Sequence, residues 1–252
     1  MDVVGLIPAG GTGSRLGRLP CSKEVLPLID RDGNVRVISE NLIRYYKLAG
    51  INEICFIIRK GKWDIPEYFG DGSDFGVNIS YLIMNAPFGT PYTLNQAYPF
   101  IKDKLVAVGF PDIIFEPTDA YQRLLTKFEK NQAEIILGVV PYKNYSSADM
   151  LEFDQYENIR DILIKENRPD LKYSWFIAVW RPGFSRLMKD YIDRRLSGND
   201  HLVKNRDGSF REVYFGDVII EAIRQGLKTD YIIFEEGYYK DLGTREMLKD
   251  YQ

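Results

Sequence analysis

The sequence holds a single histidine, His201, and two cysteines, Cys21 and Cys55. One histidine in a polar stretch excludes a Ser-His-Asp or Cys-His nucleophile as the basis of catalysis. The cysteines lie in a glycine-rich segment and an apolar run, with neither the number nor the spacing of a disulfide framework or a zinc site. Both are expected to be free thiols. Long apolar runs are missing as well: segments such as 54–58 and 105–108 fall far short of the roughly 20 residues that cross a bilayer, so no membrane contact is expected. Asp2 precedes the first apolar run and no basic, hydrophobic leader follows it, which points to a cytoplasmic protein. With a net charge of -3 and no long basic block, the chain lacks a surface that would track a nucleic-acid backbone. Any phosphate recognition has to be local. Internal repeats and low-complexity segments are absent too.

What is present is a chain of 252 residues, 45% hydrophobic and 27% charged, enough for one large domain with a real core. Over residues 1–141, short β-branched apolar runs alternate with longer amphipathic stretches, the pattern of βαβ units and a mainly parallel sheet. Strands are expected at 3–7, 53–58, 78–83, 105–108 and 134–140, each too continuously apolar for a sheet with one wet face. Helices are expected at 37–48, closed by Gly50, and at 118–129, opened by Pro117. After Pro141 the texture becomes mixed. Strands are expected at 151–153, 161–165, 173–180 and 231–235, helices at 184–194 and 218–224, a polar loop over 197–209, and a short C-terminal helix. The reading is a single α/β domain: a Rossmann-like, mainly parallel sheet flanked by helices, with a nucleotide-binding part (1–141) and a smaller mixed part (142–252).

Where the first strand ends, the chain reads Pro8-Ala9-Gly10-Gly11-Thr12-Gly13-Ser14-Arg15-Leu16. Glycines let backbone N–H groups approach phosphate oxygens, and the carboxyl ends of parallel strands are where α/β folds place ligands. By itself this loop fits a ligand-free tight turn as well as it fits a nucleotide. No Gly-Lys-Ser/Thr follows, so it is not a P-loop, and Leu16 stands where the third small residue of a dinucleotide fingerprint belongs, which argues against a nicotinamide enzyme. Two cations, Arg15 and Lys23, come close behind it. In phosphoryl and nucleotidyl transfer the protein supplies mainly position and positive charge, and these residues suit that work.

The run Gly10-Gly11-Thr12-Gly13-Ser14-Arg15-Leu16, followed by Lys23-Glu24-Val25-Leu26-Pro27-Leu28, resembles the signature of sugar-phosphate nucleotidyltransferases of the glucose-1-phosphate thymidylyl- and uridylyltransferase type. The resemblance implies that Ala9, Gly10, Gly11, Thr12 and Gly13 bind a nucleoside triphosphate, that Arg15 stabilises the α-phosphate and leaving pyrophosphate, and that Lys23 bridges the phosphates. Ser22 departs from the pattern, standing where the family has a proline.

Two carboxylates follow. Asp112 lies just beyond the apolar run Leu105–Val108, and Asp241 lies in Tyr238-Tyr239-Lys240-Asp241-Leu242-Gly243-Thr244. Each has an ordinary reading as a turn or helix cap and a second as a ligand of magnesium, which takes one or two carboxylates plus phosphates and waters. The resemblance implies the second, with Asp112 and Asp241 as the paired Mg2+ ligands. It also implies that Gly89 lies against the nucleobase and that Lys165 grips the acceptor phosphate. Met84 stands where thymidylyl and uridylyl enzymes carry a base-reading glutamine, and Ile164 where a glutamate holds sugar hydroxyls. Tyr173, Trp175 and Trp180 either pack in the core or line a pocket for another phosphate ester, such as phosphocholine, through cation–π contacts.

The expected activity is transfer of a nucleotide from a nucleoside triphosphate to a sugar phosphate, releasing pyrophosphate, with a homo-oligomer open as the assembly. A catalytically silent nucleotide or sugar-phosphate sensor on the same fold, or a cytidylyltransferase for a non-sugar phosphate, are the alternatives.

Overall fold

The computed structural model describes residues 2–29, 33–85, 88–198, 202–205 and 208–243. Its centre is a nine-stranded sheet of β1 (Val3–Ala9), β2 (Glu53–Arg59), β3 (Asn78–Met84), β4 (Leu105–Val108), β5 (Ile135–Pro141), β6 (Asp149–Phe153), β7 (Ile159–Ile164), β8 (Tyr173–Trp180) and β9 (Thr229–Ile233). β1 sits between β2 and β4, parallel to both, and β3 runs parallel to β2 at the edge. These strands carry the β-branched runs that both-face burial requires.

β8 breaks the parallel pattern. It runs antiparallel between β4 and β5, with Ala178, Val179 and Trp180 opposite Val108, Ala107 and Val106. At its other end, on the side where β4 has stopped, Ser174 pairs with Met150 of β6. One strand thus carries β4 and β6 end to end along one flank, and the sheet forks beyond the carboxyl tip of β4. β7 continues outward antiparallel to β6, and β9 closes the opposite edge parallel to β5. Strands from both halves of the chain therefore share one sheet.

Alternation along β1 fills both faces. Val4 and Leu6 join one buried cluster with Trp180, Phe184 and Phe215; Ile7 and Ala9 join the other with Tyr46, Phe56 and Phe128. Helices α1 (Glu40–Leu48), α2 (Asp64–Phe69) and α5 (Ala120–Lys130) cover the second face. Helices α3 (Thr90–Asn95), α4 (Tyr98–Ile101), α6 (Pro182–Ser197) and α7 (Phe215–Arg224) cover the first. None of the described helices is long and apolar enough to cross a membrane.

Two expectations change. The helix expected from residue 37 begins at Glu40, because Val35–Val37 pairs with Pro27–Ile29 in a small antiparallel ribbon; its β-branched valines serve a strand better than a first helical turn. The polar loop expected over 197–209 is shorter: Leu202–Lys204 pairs antiparallel with Phe210–Glu212. His201 and the expected C-terminal helix lie outside the described residues.

Gly5 marks the tightest packing under β1. A Cβ there would fall 2.8 Å from two ring carbons of Tyr46, whose hydroxyl donates to the carbonyls of Leu6 and Ala107 at 2.9 and 3.2 Å. Gly5→Ala is expected to destabilise the protein by about 2 kcal/mol through overpacking. Urea denaturation checks this; an unchanged midpoint would show that the ring can yield.

Candidate active site

Parallel strands deliver their carboxyl tips to one sheet edge, and the site is assembled there. β1 ends at Ala9, which is fully buried, and the chain passes through Gly10, Gly11 and Thr12 along the wall of a cavity of about 510 Å3. A Cβ on Gly10 would fall 3.0 Å from the Met84 sulfur and 3.4 Å from the Thr93 hydroxyl, while one on Gly11 would meet nothing. The Gly11 backbone is thus bare toward the cavity. Gly13 takes φ 66° and borders a neighbouring pocket of about 410 Å3, not the main cavity. Gly89 has to be glycine: its φ is 105° and a Cβ would lie 2.2 Å from the Val213 carbonyl oxygen.

Lys23 opens a short 3-10 turn, Lys23–Val25, that is pinned on both sides. Ahead of it, the Ser22 N–H and hydroxyl donate to the Asp64 carboxylate at 2.6 and 2.7 Å. A proline has no N–H to give, so Ser22 holds the turn by a different device from the family's. Behind it, Glu24 is buried and takes two hydrogen bonds from buried Lys62 at 2.8 and 2.7 Å. The Lys23 ammonium reaches across to Asp112 Oδ2 at 2.5 Å.

Asp112 and Asp241 are brought together by backbone. Residues Tyr238–Asp241 pair antiparallel with Ile113–Glu116, Asp241 opposite Ile113, and the Leu242 N–H donates to the Asp112 carbonyl at 2.8 Å. The Gly243 N–H donates to Asp241 Oδ1 at 2.7 Å. A Cβ on Gly243 would lie 2.7 Å from Asp241 Oδ1, 3.0 Å from an Arg15 guanidinium nitrogen and 3.1 Å from Asp112 Oδ2. Three charged groups far apart in sequence therefore surround one point, and Arg15 stands 3.8 Å from Asp241.

The charges respond to one another. Burial alone would raise the Asp112 carboxyl, but the contacting Lys23 ammonium overrides it and holds the carboxyl below the usual range. Asp241 moves up, pushed first by burial and then by the charge of Asp112, against the Gly243 N–H, Arg15 and Lys23. Burial opposes the charge on Lys23, yet Asp112 and Glu24 keep its pKa above that of an ordinary lysine. Lys23 thus favours the charged form of Asp112, while burial and the Asp112 charge favour the neutral form of Asp241.

The far end of the cavity lies in the fork of the sheet. Lys165, just past β7, adopts φ 53°, a left-handed conformation uncommon outside glycine, and its ammonium sits 3.9 Å from the centre of the Tyr214 ring. Ile164, the position of the family glutamate, is directly opposite Asp149 in the β6–β7 pairing. Asp149 lines the cavity, with Glu212, Tyr142 and Tyr239. Sequence reading missed these four. Asp149 was legible as a carboxylate at the head of a strand, but its facing depends on the fork. Of the three aromatics singled out, Trp175 lines the cavity. Trp180 is buried, donating to the Ser185 hydroxyl at 2.8 Å, and Tyr173 donates to Glu235 at 2.5 Å on the surface.

Comparison with known proteins bears on the family and the fold. A family model described as nucleotidyl transferase matches residues 4–252. The low-salt glycan biosynthesis nucleotidyltransferase Agl11 of Haloferax volcanii is 26% identical over 246 residues, 96% of this chain and 63% of that protein. A glucose-1-phosphate thymidylyltransferase of Neisseria meningitidis is 30% identical over 181 residues, 69% of this chain and 59% of that protein. This chain thus spans about three-fifths of the length of these relatives. A Bacillus anthracis crystal structure, provisionally assigned as a glucose-1-phosphate thymidylyltransferase and solved with sucrose, shares the fold with a TM-score of 0.81. It is 20% identical, and the match covers 98% of this chain and 93% of that one.

The buried Glu24–Lys62 pair yields a test of how the Lys23 turn is held. Lys62→Met leaves Glu24 charged without its partner and is expected to cost about 3–5 kcal/mol, most of it recovered when Glu24→Leu is added. Urea denaturation of the single and double variants measures both; a single-variant loss under about 1 kcal/mol would mean the pair holds nothing.

Proposed function

The chain belongs to the nucleotidyl transferase family, and from that premise we propose that it joins a nucleoside triphosphate to a sugar 1-phosphate or a related phosphate ester, releasing pyrophosphate. The observation that carries the proposal is the convergence of Arg15, Asp112 and Asp241 around the empty side of Gly243, with Lys23 on Asp112. Two cations and two carboxylates at the end of a bare glycine loop make a site for a polyphosphate and its counter-ion.

In this reading an oxygen of the acceptor phosphate attacks the α-phosphorus in line. The new P–O bond forms as the bond to the β-phosphate oxygen breaks, and that oxygen leaves with the electron pair as pyrophosphate. The acceptor phosphate is already an anion at neutral pH, so no histidine base is required. Gly10, Gly11 and Thr12 present backbone to the phosphates, Arg15 and Lys23 offset the charge that builds on the leaving group, and Lys165 grips the acceptor phosphate. Gly89 would lie against the nucleobase, while its lack of a side chain is required by the Val213 carbonyl behind it rather than by the base.

Asp112 and Asp241 would hold Mg2+. Among the described residues no group of three or more histidine, cysteine or carboxylate side chains is placed to hold a metal ion. A two-carboxylate set suits magnesium, which completes its shell with phosphate oxygens and water. Burial and the neighbouring Asp112 charge both hold the Asp241 carboxyl up, an arrangement that a bound cation would relieve. When bound, the ion would supply Lewis-acid charge to the α-phosphate and orient the leaving group.

Asp241→Ala is expected to lower pyrophosphate release at least about 100-fold with CTP, UTP or dTTP and the matching sugar phosphate, while the melting temperature stays near that of the parent chain. An unaffected rate removes Asp241 from the mechanism. Triphosphate binding without turnover on every acceptor would instead leave a sensor. Lys165→Ala is expected to raise the acceptor KM about tenfold or more, with the triphosphate KM nearly unchanged. Initial-rate kinetics with each substrate varied in turn separates the two.

A further inference from the structure

The two ends of the cavity differ in charge. Near the glycine loop Arg15 and Lys23 are matched by Asp112 and Asp241, whereas the fork end presents Asp149 and Glu212 against Lys165 alone among the lining residues. Arg211, which does not line this cavity, is engaged elsewhere, bonding both carboxylate oxygens of Asp217 at 2.6 and 2.8 Å. Two carboxylates therefore face one ammonium at the place that has to receive an anionic acceptor. A phosphate ester with otherwise neutral groups would meet net repulsion there.

The half-buried Asp149 carboxylate is only weakly compensated by the described residues around it. It forms no salt bridge among the described residues; Lys165 and Arg211 act on it through space, and the indole of Trp175 gives a hydrogen-bond pull. That indole N–H is itself buried at the cavity wall without an acceptor in good geometry. Burial pushes the Asp149 carboxyl up to about 6, with Lys165 pulling against it and Asp217 adding to the push. The surrounding walls are aromatic: Trp175 packs on Phe215 at 5.5 Å between centroids, and Tyr214 lies under Lys165. Hydroxyl donors would hydrogen-bond this carboxylate yet leave its charge uncompensated. A cationic nitrogen compensates the charge, one that bears N–H also donates to the carboxylate, and aromatic faces attract either.

We infer that the acceptor is a phosphate monoester that also carries a positively charged nitrogen, its phosphate held by Lys165 and its nitrogen seated against Asp149 beside Trp175 and Tyr214. This rests on the transferase reading given above. The nitrogen keeps its positive charge and takes no part in the bond changes, which remain attack of the acceptor phosphate oxygen on the α-phosphorus and departure of pyrophosphate. Either an amino sugar 1-phosphate or an alkylammonium phosphate has this chemistry.

The test uses the full chain with Mg2+, pyrophosphate detection and CTP, UTP or dTTP. Glucosamine 1-phosphate and phosphocholine are compared with glucose 1-phosphate and N-acetylglucosamine 1-phosphate, and binding of each ester is measured by calorimetry. One of the charged esters is expected to exceed the neutral ones by about 30-fold in kcat/KM, and Asp149→Asn to erase that margin. Which charged ester wins tells an amino sugar from an alkylammonium source. Turnover of glucose 1-phosphate at least equal to that of both charged esters overturns the inference and leaves the transferase reading standing. Absence of turnover and of binding for all four overturns both. The parent-chain panel decides without any variant having to fold; a margin that survives in a folded Asp149→Asn variant removes Asp149 as its origin.

Discussion

Two like charges have to be held side by side, and the backbone does the holding. Asp112 and Asp241 would separate if each were free to choose its rotamer and loop, because burial strengthens their repulsion. They cannot, since the ribbon of Tyr238–Asp241 on Ile113–Glu116 and the Leu242 N–H to Asp112 carbonyl bond fix their main chains. Neutral hydrogen bonds, which do not weaken when charges gather, thus maintain an arrangement that electrostatics alone would dissolve. The cations are held in the same indirect way. Lys23 is placed by Ser22 and Glu24, each anchored to a residue near the start of α2.

The single antiparallel strand β8 explains why a cavity exists next to this cluster. A continuous parallel sheet would have placed another strand tip beside β4. Instead β8 runs past the end of β4 and meets β6 at Ser174, and the fork so made exposes the cavity faces of Asp149 and Trp175. The strand tips on one side supply two cations matched by Asp112 and Asp241; the fork on the other supplies Asp149, Glu212 and aromatic rings around Lys165. The polarity of the cavity follows from topology as much as from composition.

Much of this was legible in the sequence, for identifiable reasons. Continuous β-branched runs marked β1 to β5 because both faces of those strands are buried. The glycine loop, Arg15, Lys23 and the two aspartates were legible because each sits in a short contiguous motif at a strand end. What could not be seen depends on pairings between distant segments. Glu24 meets Lys62 and Ser22 meets Asp64 only after α2 docks. Asp149 acquires meaning only as the cross-strand neighbour of Ile164. The polar letters of Leu202–Lys204 and Phe210–Glu212 hid a hairpin whose pattern is too short to register as alternation. The aromatic run 173–180 showed the limits of composition: Trp175 and Trp180 differ in role although both belong to β8, because one lies at the fork and the other under α6.

The ribbon that joins Asp241 to Ile113 also gives the molecule a direction in time. During synthesis Asp112 leaves the ribosome on the order of ten seconds before Asp241, so the nascent glycine loop, Arg15, Lys23 and Asp112 can gather while the cluster still lacks one carboxylate. A chain interrupted before that last strand would carry the phosphate-binding half of the apparatus with no means of completing it. The proposed pair of metal ligands is therefore complete only once the later of its two segments has been made and has paired with the earlier one.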